Sequence, residues 1–380
     1  MILFFSVFFT VYAAVNYYIF IRGWQSLAAL PHLRIIYLIV FLLVSLSFIL
    51  SKLLQNYLPA ALYSIMQWIG SFWFAYMLYF ILFIVFFDIL KLLNNYLTYF
   101  PSSISINYKQ WKFGLFIFVI LVTSVIVFTG YINTRIVNIK NLELTLRKGS
   151  SPINKLNIVS FADIHLTPMN NEELLSIIID KANSLNPDIV LIPGDFADEK
   201  TEWLETNGIG KSFLRLNPKY GVFASTGNHE FIVGINNIPK FITDHNIRLL
   251  RDENILIDGS FYLAARDDYS KKQFTGEERK PLSLILNNRK EDYPVILMDH
   301  TPFKLDEAEK NNIDLQLSGH THHAQLWPLN FLTGLIYEKD WGYLKKGNTQ
   351  YYITCGVGTW GPPVRTGSKT EIVNIKIKFQ

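Results

Sequence analysis

The sequence predicts an α/β domain of two packed sheets with helices outside, carried behind an N-terminal bundle of about four transmembrane helices. Three observations lead there. Residues 1–21, 35–51, 53–87 and 113–134 carry no charged side chain, and a helix needs about 20 apolar residues to cross the hydrocarbon core. From residue 133 onward the pattern becomes strand, helix, strand, and then mostly strands, the signature of packed sheets with helices on their faces. Finally, six of the eight histidines (165, 229, 300, 320, 322 and 323) fall in short segments that begin where an apolar run turns polar. Ligands delivered from the ends of several strands can converge on one point.

The apolar runs place spans near 2–21, 33–53, 66–90 and 112–132, so residues 1–132 form the transmembrane anchor region. Four such runs in succession without an amphipathic face exclude buried core helices of a water-exposed domain. M-I-L-F-F lacks the basic start of a signal peptide, so the first run reads as an anchor. Trp68, Trp73, Tyr76 and Tyr79 read as interfacial or packing aromatics. The uncharged spans offer no ion path, which argues against a transporter. Residues 133–150 are a connector or first edge strand, with alternation over 136–146, and residues 151–380 form the second domain.

Within that domain, residues 157–162, 187–193 and 220–226 read as buried strands and 172–182 as an amphipathic helix. Residues 235–246 look helical. Further strands are expected over 253–265, 282–287, 294–299, 313–317, 349–355 and 370–379.

Charge divides the chain in the same place. Of 35 basic and 31 acidic side chains, six and one lie in residues 1–132, leaving 29 and 30 for the remainder. The formal charge of +4 therefore belongs to the first third. A near-neutral second domain lacks the basic stripe of a nucleic-acid binder. The one cysteine, Cys355 in Y-Y-I-T-C-G-V-G, cannot close an intrachain disulfide and removes thiolates from any multi-ligand metal site; it reads as a buried strand thiol.

The loops after spans one and three carry Arg22, Arg34, Lys91, Lys109 and Lys112, whereas the loop after span two carries only Lys52. This bias places both chain ends, and the second domain, on the extracytoplasmic side. Arg135, Lys140, Arg147 and Lys148 oppose it, but long C-terminal domains translocate largely regardless of such charge.

The candidate site residues are Asp163 and His165 in F-A-D-I-H-L, Asp195 and Asp198 in P-G-D-F-A-D, Asn228 and His229 in T-G-N-H-E, His300 in M-D-H-T-P, and His320 and His322 in S-G-H-T-H-H. Carboxylate, imidazole and amide donors together suit Mn, Fe, Zn or Ni better than Ca or Mg.

Asp-x-His, Gly-Asp-x-x-Asp, Gly-Asn-His-Glu, a lone His and Gly-His-x-His, in that order, closely resemble the calcineurin-like metallophosphoesterases over about residues 150–380. The terminal G-V-G-T-W-G-P-P-V-R resembles the bacterial membrane-associated or exported subgroup. The resemblance implies a four-layer α/β/β/α sandwich with a centre of two divalent metal ions, Mn being the first choice in vitro. It implies that one ion is bound by Asp163, His165 and His322, the other by Asn228, His300 and His320, with Asp195 bridging. A carboxylate has two oxygens and can bridge ions about 3.5–4 Å apart, while an imidazole gives one lone pair to one ion. By the same resemblance His229 binds a phosphate oxygen and protonates the leaving group. Asp198 then orients His229, since a carboxylate partner fixes the tautomer; capping the following helix is the alternative. Glu199 stands where the protein-phosphatase branch has Arg, which speaks against a phosphoprotein substrate. His323 reads as a residue behind the ligands or an exposed one, His32 and His245 as ordinary surface or packing histidines, and Arg365 as a phosphate holder or a surface arginine.

The expectation is a multi-pass cell-membrane enzyme whose metal-bound hydroxide attacks a phosphomonoester, phosphodiester or pyrophosphate in line. Tethering makes a lipid-linked phosphate ester an attractive substrate. The competing reading is a metal-binding membrane signalling or structural module without catalysis.

Overall fold

A computed structural model describes residues 2–97, 101, 104 and 106–380. The chain divides into two compact units, residues 1–131 with 361–364, and residues 132–360 with 365–380.

The first unit is helical: α1 (Ile2–Ser26), α2 (Arg34–Leu54), α3 (Ala60–Leu97) and α4 (Tyr108–Arg135). Among the described residues, Pro31–Leu54, Ala60–Leu97 and Tyr108–Arg135 are long and apolar enough to cross a membrane. The four runs anticipated from the sequence thus appear as four helices, three of which meet that standard. At 1.5 Å per residue, the 38 residues of α3 extend ~57 Å, well beyond the hydrocarbon core and past the expected 66–90. Near its C-terminal end Asp88 places its Oδ2 2.5 Å from Arg22 Nη2 of α1. Polar side chains also join the helices inside the bundle: Trp73 Nε1 donates to Asn16 Oδ1 at 2.9 Å, and Gln67 Nε2 to Ser51 Oγ at 2.7 Å. Tyr12, Ile19, Phe41 and Trp73 form its buried centre, so Trp73 is a packing aromatic.

The second unit holds two six-stranded sheets. Its strands are β1 (Asn138–Leu146), β2 (Lys155–Ser160), β3 (Ile189–Pro193), β4 (Val222–Ser225), β5 (Ile247–Leu249), β6 (Glu253–Ile257), β7 (Phe261–Ala265), β8 (Val295–Met298), β9 (Leu315–Ser318), β10 (Gly342–Lys346), β11 (Thr349–Ile353) and β12 (Glu371–Phe379). The first sheet runs β1-β12-β2-β3-β4-β5 and the second β10-β11-β9-β8-β7-β6. Strand alternation builds the layers. Ile158, Ile189 and Leu191 face Leu263, Ile296 and Met298 between the sheets. Their neighbours Val159, Val190 and Ile192 pack outward on Leu174, Leu175, Ile178 and Ile179 of α5 (Glu172–Ser184). On the far side, Tyr262, Leu297 and Tyr351 pack on Leu282, Ile285, Leu305 and Ala308. The result is the helix, sheet, sheet, helix sandwich.

Two expectations about elements are corrected. Residues 253–265 are a hairpin rather than one strand, because Asp258 and Gly259 adopt φ of 44° and 61° and turn the chain. Residues 282–287 contain a one-turn helix, Leu282–Ile285. Leu282, Ile285 and Leu286 face the outer cluster, a helical three- and four-residue spacing that overrides their strand-like composition. Short β5 and β10, not anticipated, close the ends of the two sheets.

Because the inter-sheet layer carries the packing energy, Ile375, fully buried there, is a sensitive position. Ile375→Ala should cost about 2–5 kcal/mol and Ile375→Val about 0.5–1.5, measured as lowered unfolding midpoints of the full chain in detergent. Equal midpoints for the two variants would contradict a close-packed layer.

Candidate metal centre

The parallel strands β2, β3 and β4 lie side by side, as do β8 and β9. Their C-terminal ends release the candidate residues: Asp163 and His165 after β2, Asp195 and Asp198 after β3, Asn228 and His229 after β4, His300 after β8, and His320 and His322 after β9. One sheet therefore supplies both buried carboxylates and the other supplies three imidazoles. Asp163, His165, Asp195, His300 and His322 are all buried.

Turning each strand end inward strains the backbone. Asp163, His165, Asp195, His320 and His322 have φ of 56°, 47°, 59°, 73° and 48°, left-handed values that cost roughly 1–3 kcal/mol each where the surroundings must enforce them. Hydrogen bonds between the loops do the enforcing: Asp163 N donates to Gly194 O at 3.1 Å, Ile164 N to Asp195 O at 2.8 Å, and Gly319 N to His300 O at 2.9 Å. Two glycines permit the approach. A Cβ on Gly227 would sit 2.2 Å from Asp195 Oδ1, and one on Gly319 2.5 Å from Asp163 Oδ2.

Three trios have potential ligand atoms within 4.8 Å of one another: Asp163, His165 and His322; His165, Asp195 and His229; and Asp195, His300 and His320. Asp195 Oδ2 stands between the halves, 3.1 Å from His300 Nε2 and 3.7 Å from His165 Nε2. His165 Nε2 faces His322 Nε2 at 3.0 Å, and His320 Nδ1 lies 2.9 Å from Asn228 Oδ1. Two buried atoms of the cluster, Asp163 Oδ2 and His300 Nε2, make no hydrogen bond of good geometry; His300 Nε2 faces Asp195 Oδ2 at 3.1 Å and Asp163 Oδ1 at 3.8 Å. Orphaned acceptors of that kind are costly, and divalent cations satisfy them. The donor set fits the metal-site expectation.

The outer nitrogens fix the rings. His300 Nδ1 donates to Pro193 O at 2.7 Å, which turns Nε2 inward. Asp198 Oδ1 accepts from His165 Nδ1 at 2.6 Å and from His229 Nδ1 at 2.7 Å. Asp198 therefore holds two rings, one more than the sequence suggested, and the helix after it, Thr201–Thr206, has no side-chain cap.

Charge follows burial and proximity. Burial pushes the Asp163 carboxyl up. Burial acts the same way on Asp195, but His300, His229 and His165 outweigh it and hold that carboxyl well below its ordinary range. Burial depresses His229, yet Asp198 and Asp195 prevail and raise it to about 10. His320 is lowered to about 4, by burial and then by His300.

Glu230, which the sequence reading left without a role, is fully buried and accepts three backbone N–H bonds, from Asp195 (2.9 Å), Phe196 (2.8 Å) and Gly227 (2.6 Å). It ties the loop after β3 to the loop after β4. Its place three residues beyond Gly227 at a helix start was the available signal. His323 Nδ1 is held by Asp340 Oδ2 at 2.6 Å, outside the cluster. His245 is a packing residue donating from Nδ1 to Phe241 O at 2.7 Å. Arg365 is not a surface arginine. It is fully buried, and its Nη2 donates to Cys355 O (2.7 Å) and Gly358 O (2.6 Å).

Since a carboxylate accepts all three N–H groups and an amide cannot, Glu230→Gln should weaken metal retention by about 10–100-fold, the range for residues that support ligands. Metal content after dialysis against graded chelator checks this; unchanged retention would remove Glu230 from the site's support.

The calcineurin-like phosphoesterase family profile matches residues 156–324. A metallophosphoesterase of Aquifex aeolicus is 34% identical over 231 residues, spanning 59% of this chain and 85% of that protein. One from Helicobacter pylori is 31% identical over 230 residues, spanning 59% and 60%. A zebrafish (Danio rerio) protein named as a transmembrane protein with a metallophosphoesterase domain is 29% identical over 272 residues, spanning 68% and 62%. The chain thus spans about three fifths of the length of the Helicobacter and zebrafish relatives. On the profile match and the Aquifex relative, carried by the residues gathered at these strand ends, the chain belongs to the calcineurin-like metallophosphoesterases.

Proposed function

We propose that the chain is a membrane-anchored phosphoesterase that hydrolyses a phosphomonoester, phosphodiester or pyrophosphate bond at a centre for two divalent ions. The observation that supports this reading is the buried carboxylate–imidazole cluster, in which three trios of possible ligand atoms each lie within 4.8 Å of one another. Asp163, His165 and His322 would hold one ion, and Asn228, His300 and His320 the other. Asp195 would serve both, since its Oδ2 faces His300 and His165 alike. The donor set suits Mn, Fe, Zn or Ni, with Mn the first choice for assays. Such ions polarise a phosphoryl oxygen and lower the pKa of the attacking water.

The chain's own residues supply the rest. Asp163 and Asp195 bring the negative charge that retains the ions. His229, with Nδ1 committed to Asp198, keeps Nε2 available to engage a phosphate oxygen and pass a proton to the leaving group. Asp198 is a positioning residue that fixes the tautomers of His165 and His229 together. The basic bias of the loops at 22–34 and 91–111 favours an extracytoplasmic catalytic domain.

Asp195→Asn should abolish retention of both ions and with it turnover of aryl phosphomonoesters and phosphodiesters; normal turnover with full metal content would overturn the shared-ligand role. His229→Ala should keep its metal yet lose about 10²–10⁴-fold in turnover, with smaller losses for substrates whose leaving groups need no proton. A loss independent of leaving-group pKa would reduce His229 to binding phosphate. For topology, a reporter active only outside the cytoplasm, fused after Gln380, should be active, and a cytoplasm-dependent one silent; the opposite pattern would reverse the orientation.

A further inference from the structure

The stretch that follows the ligand His322 is unlike the rest of the domain's surface. Residues 324–337 (A-Q-L-W-P-L-N-F-L-T-G-L-I-Y) contain no charged side chain, and Asn330–Ile336 form a short helix. Phe331, Leu332, Leu335 and Ile336 are 64%, 54%, 83% and 63% exposed, and Trp327 just before them is 52% exposed. Their spacing puts the four helical residues along one side of the helix. Scattered exposed apolar residues need no explanation, but a contiguous apolar patch of this kind marks an interaction surface.

The patch is attached to the metal centre. Thr333 Oγ1 donates to Asp340 Oδ2 at 2.7 Å, and the same oxygen accepts from His323 Nδ1 at 2.6 Å, so the helix is tied to the turn that carries His320 and His322. Tyr337, at the helix end, has its ring 6.1 Å from that of His320 and stacks on Phe303 at 4.8 Å. An apolar surface therefore begins beside a ligand histidine.

We propose that residues 327–337 insert into the interfacial layer of the bilayer and seat the metal centre on it, so that the substrate is a phosphate ester or anhydride carried by a lipid. The substrate half of this statement rests on the phosphoesterase reading above; the insertion half does not. A bilayer is the occupant the observations favour. The chain's own apolar helices, long enough to cross a bilayer, place the protein at one. An uncharged, convex helix offers a protein partner no charge to pair with, whereas insertion into lipid needs none. Tryptophan and large aliphatic side chains on a short helix are the residues that occupy the interfacial layer, about 5–10 Å deep.

The test uses the full chain in vesicles of phosphatidylcholine and phosphatidylglycerol. Cys355 is buried and its thiol pushed up to about 12, so a nitroxide label can be directed to Leu332→Cys or Leu335→Cys, with the exposed Glu277→Cys as reference. Insertion predicts that labels at 332 and 335 collide readily with oxygen and poorly with a water-soluble nickel chelate, the reverse of 277. Labels at 332 and 335 that collide with nickel as 277 does would place the helix in water and overturn the proposal. Protection from both agents would place it against protein and overturn it equally. For the substrate class, the double variant Leu335→Glu/Ile336→Glu should lower turnover of an acyl-tailed nitrophenyl phosphodiester in the vesicles by about tenfold or more, the scale of one buried aliphatic side chain, and leave the water-soluble bis(p-nitrophenyl) phosphate unchanged. Equal losses on both would overturn the lipid-linked substrate. Absence of turnover of either by the unaltered chain would count against the phosphoesterase reading, while label depth would still decide insertion.

Discussion

Two carboxylates, Asp163 and Asp195, are buried within reach of the same imidazoles, and the rest of the domain is arranged around that expense. Isolated buried carboxylates are driven toward protonation, which is the direction Asp163 takes. Asp195 escapes it because three histidines surround it and His300 in particular is pushed well above its ordinary range. Positive charge is thus required at the point where His300 Nε2 and Asp195 Oδ2 meet at 3.1 Å. Divalent ions can supply that charge, because carboxylate and imidazole groups both offer them lone pairs.

Holding those groups in place is a backbone problem before it is a side-chain one. Five ligand-type residues adopt left-handed conformations that non-glycine residues avoid, and each sits just beyond a short strand whose own hydrogen bonds anchor one end. The glycines at 227 and 319 leave no Cβ where the carboxylates lie, and the Glu230 carboxylate gathers three N–H groups from two loops. The sandwich supplies the rigidity that such strain requires, since both faces of each sheet are packed.

The same turn that carries His320 and His322 also bears, through His323, Asp340 and Thr333, the apolar helix at 330–336. The candidate ligands and the exposed apolar helix therefore share one structural element.

Much was legible from residue order alone. Charge-free runs identify the membrane helices because hydrocarbon excludes charge over a fixed length. Short apolar runs at 157–162 and 187–193 identify strands packed on both faces. Asp163, His165, Asp195, Asn228, His300, His320 and His322 stand out because ligand-type residues cluster where apolar runs end. What the sequence could not decide depends on partners far away along the chain. The parallel pairing of β1 with β12, the sharing of one Asp198 oxygen by His165 and His229, and the burial of Arg365 on backbone carbonyls are set by packing between segments. Residues 282–287 turned helical because the outer layer offered contacts at helical spacing. The apolar helix after His322 became a surface feature only once the folded domain left it uncovered, because composition records how apolar a segment is, while tertiary structure decides what it faces.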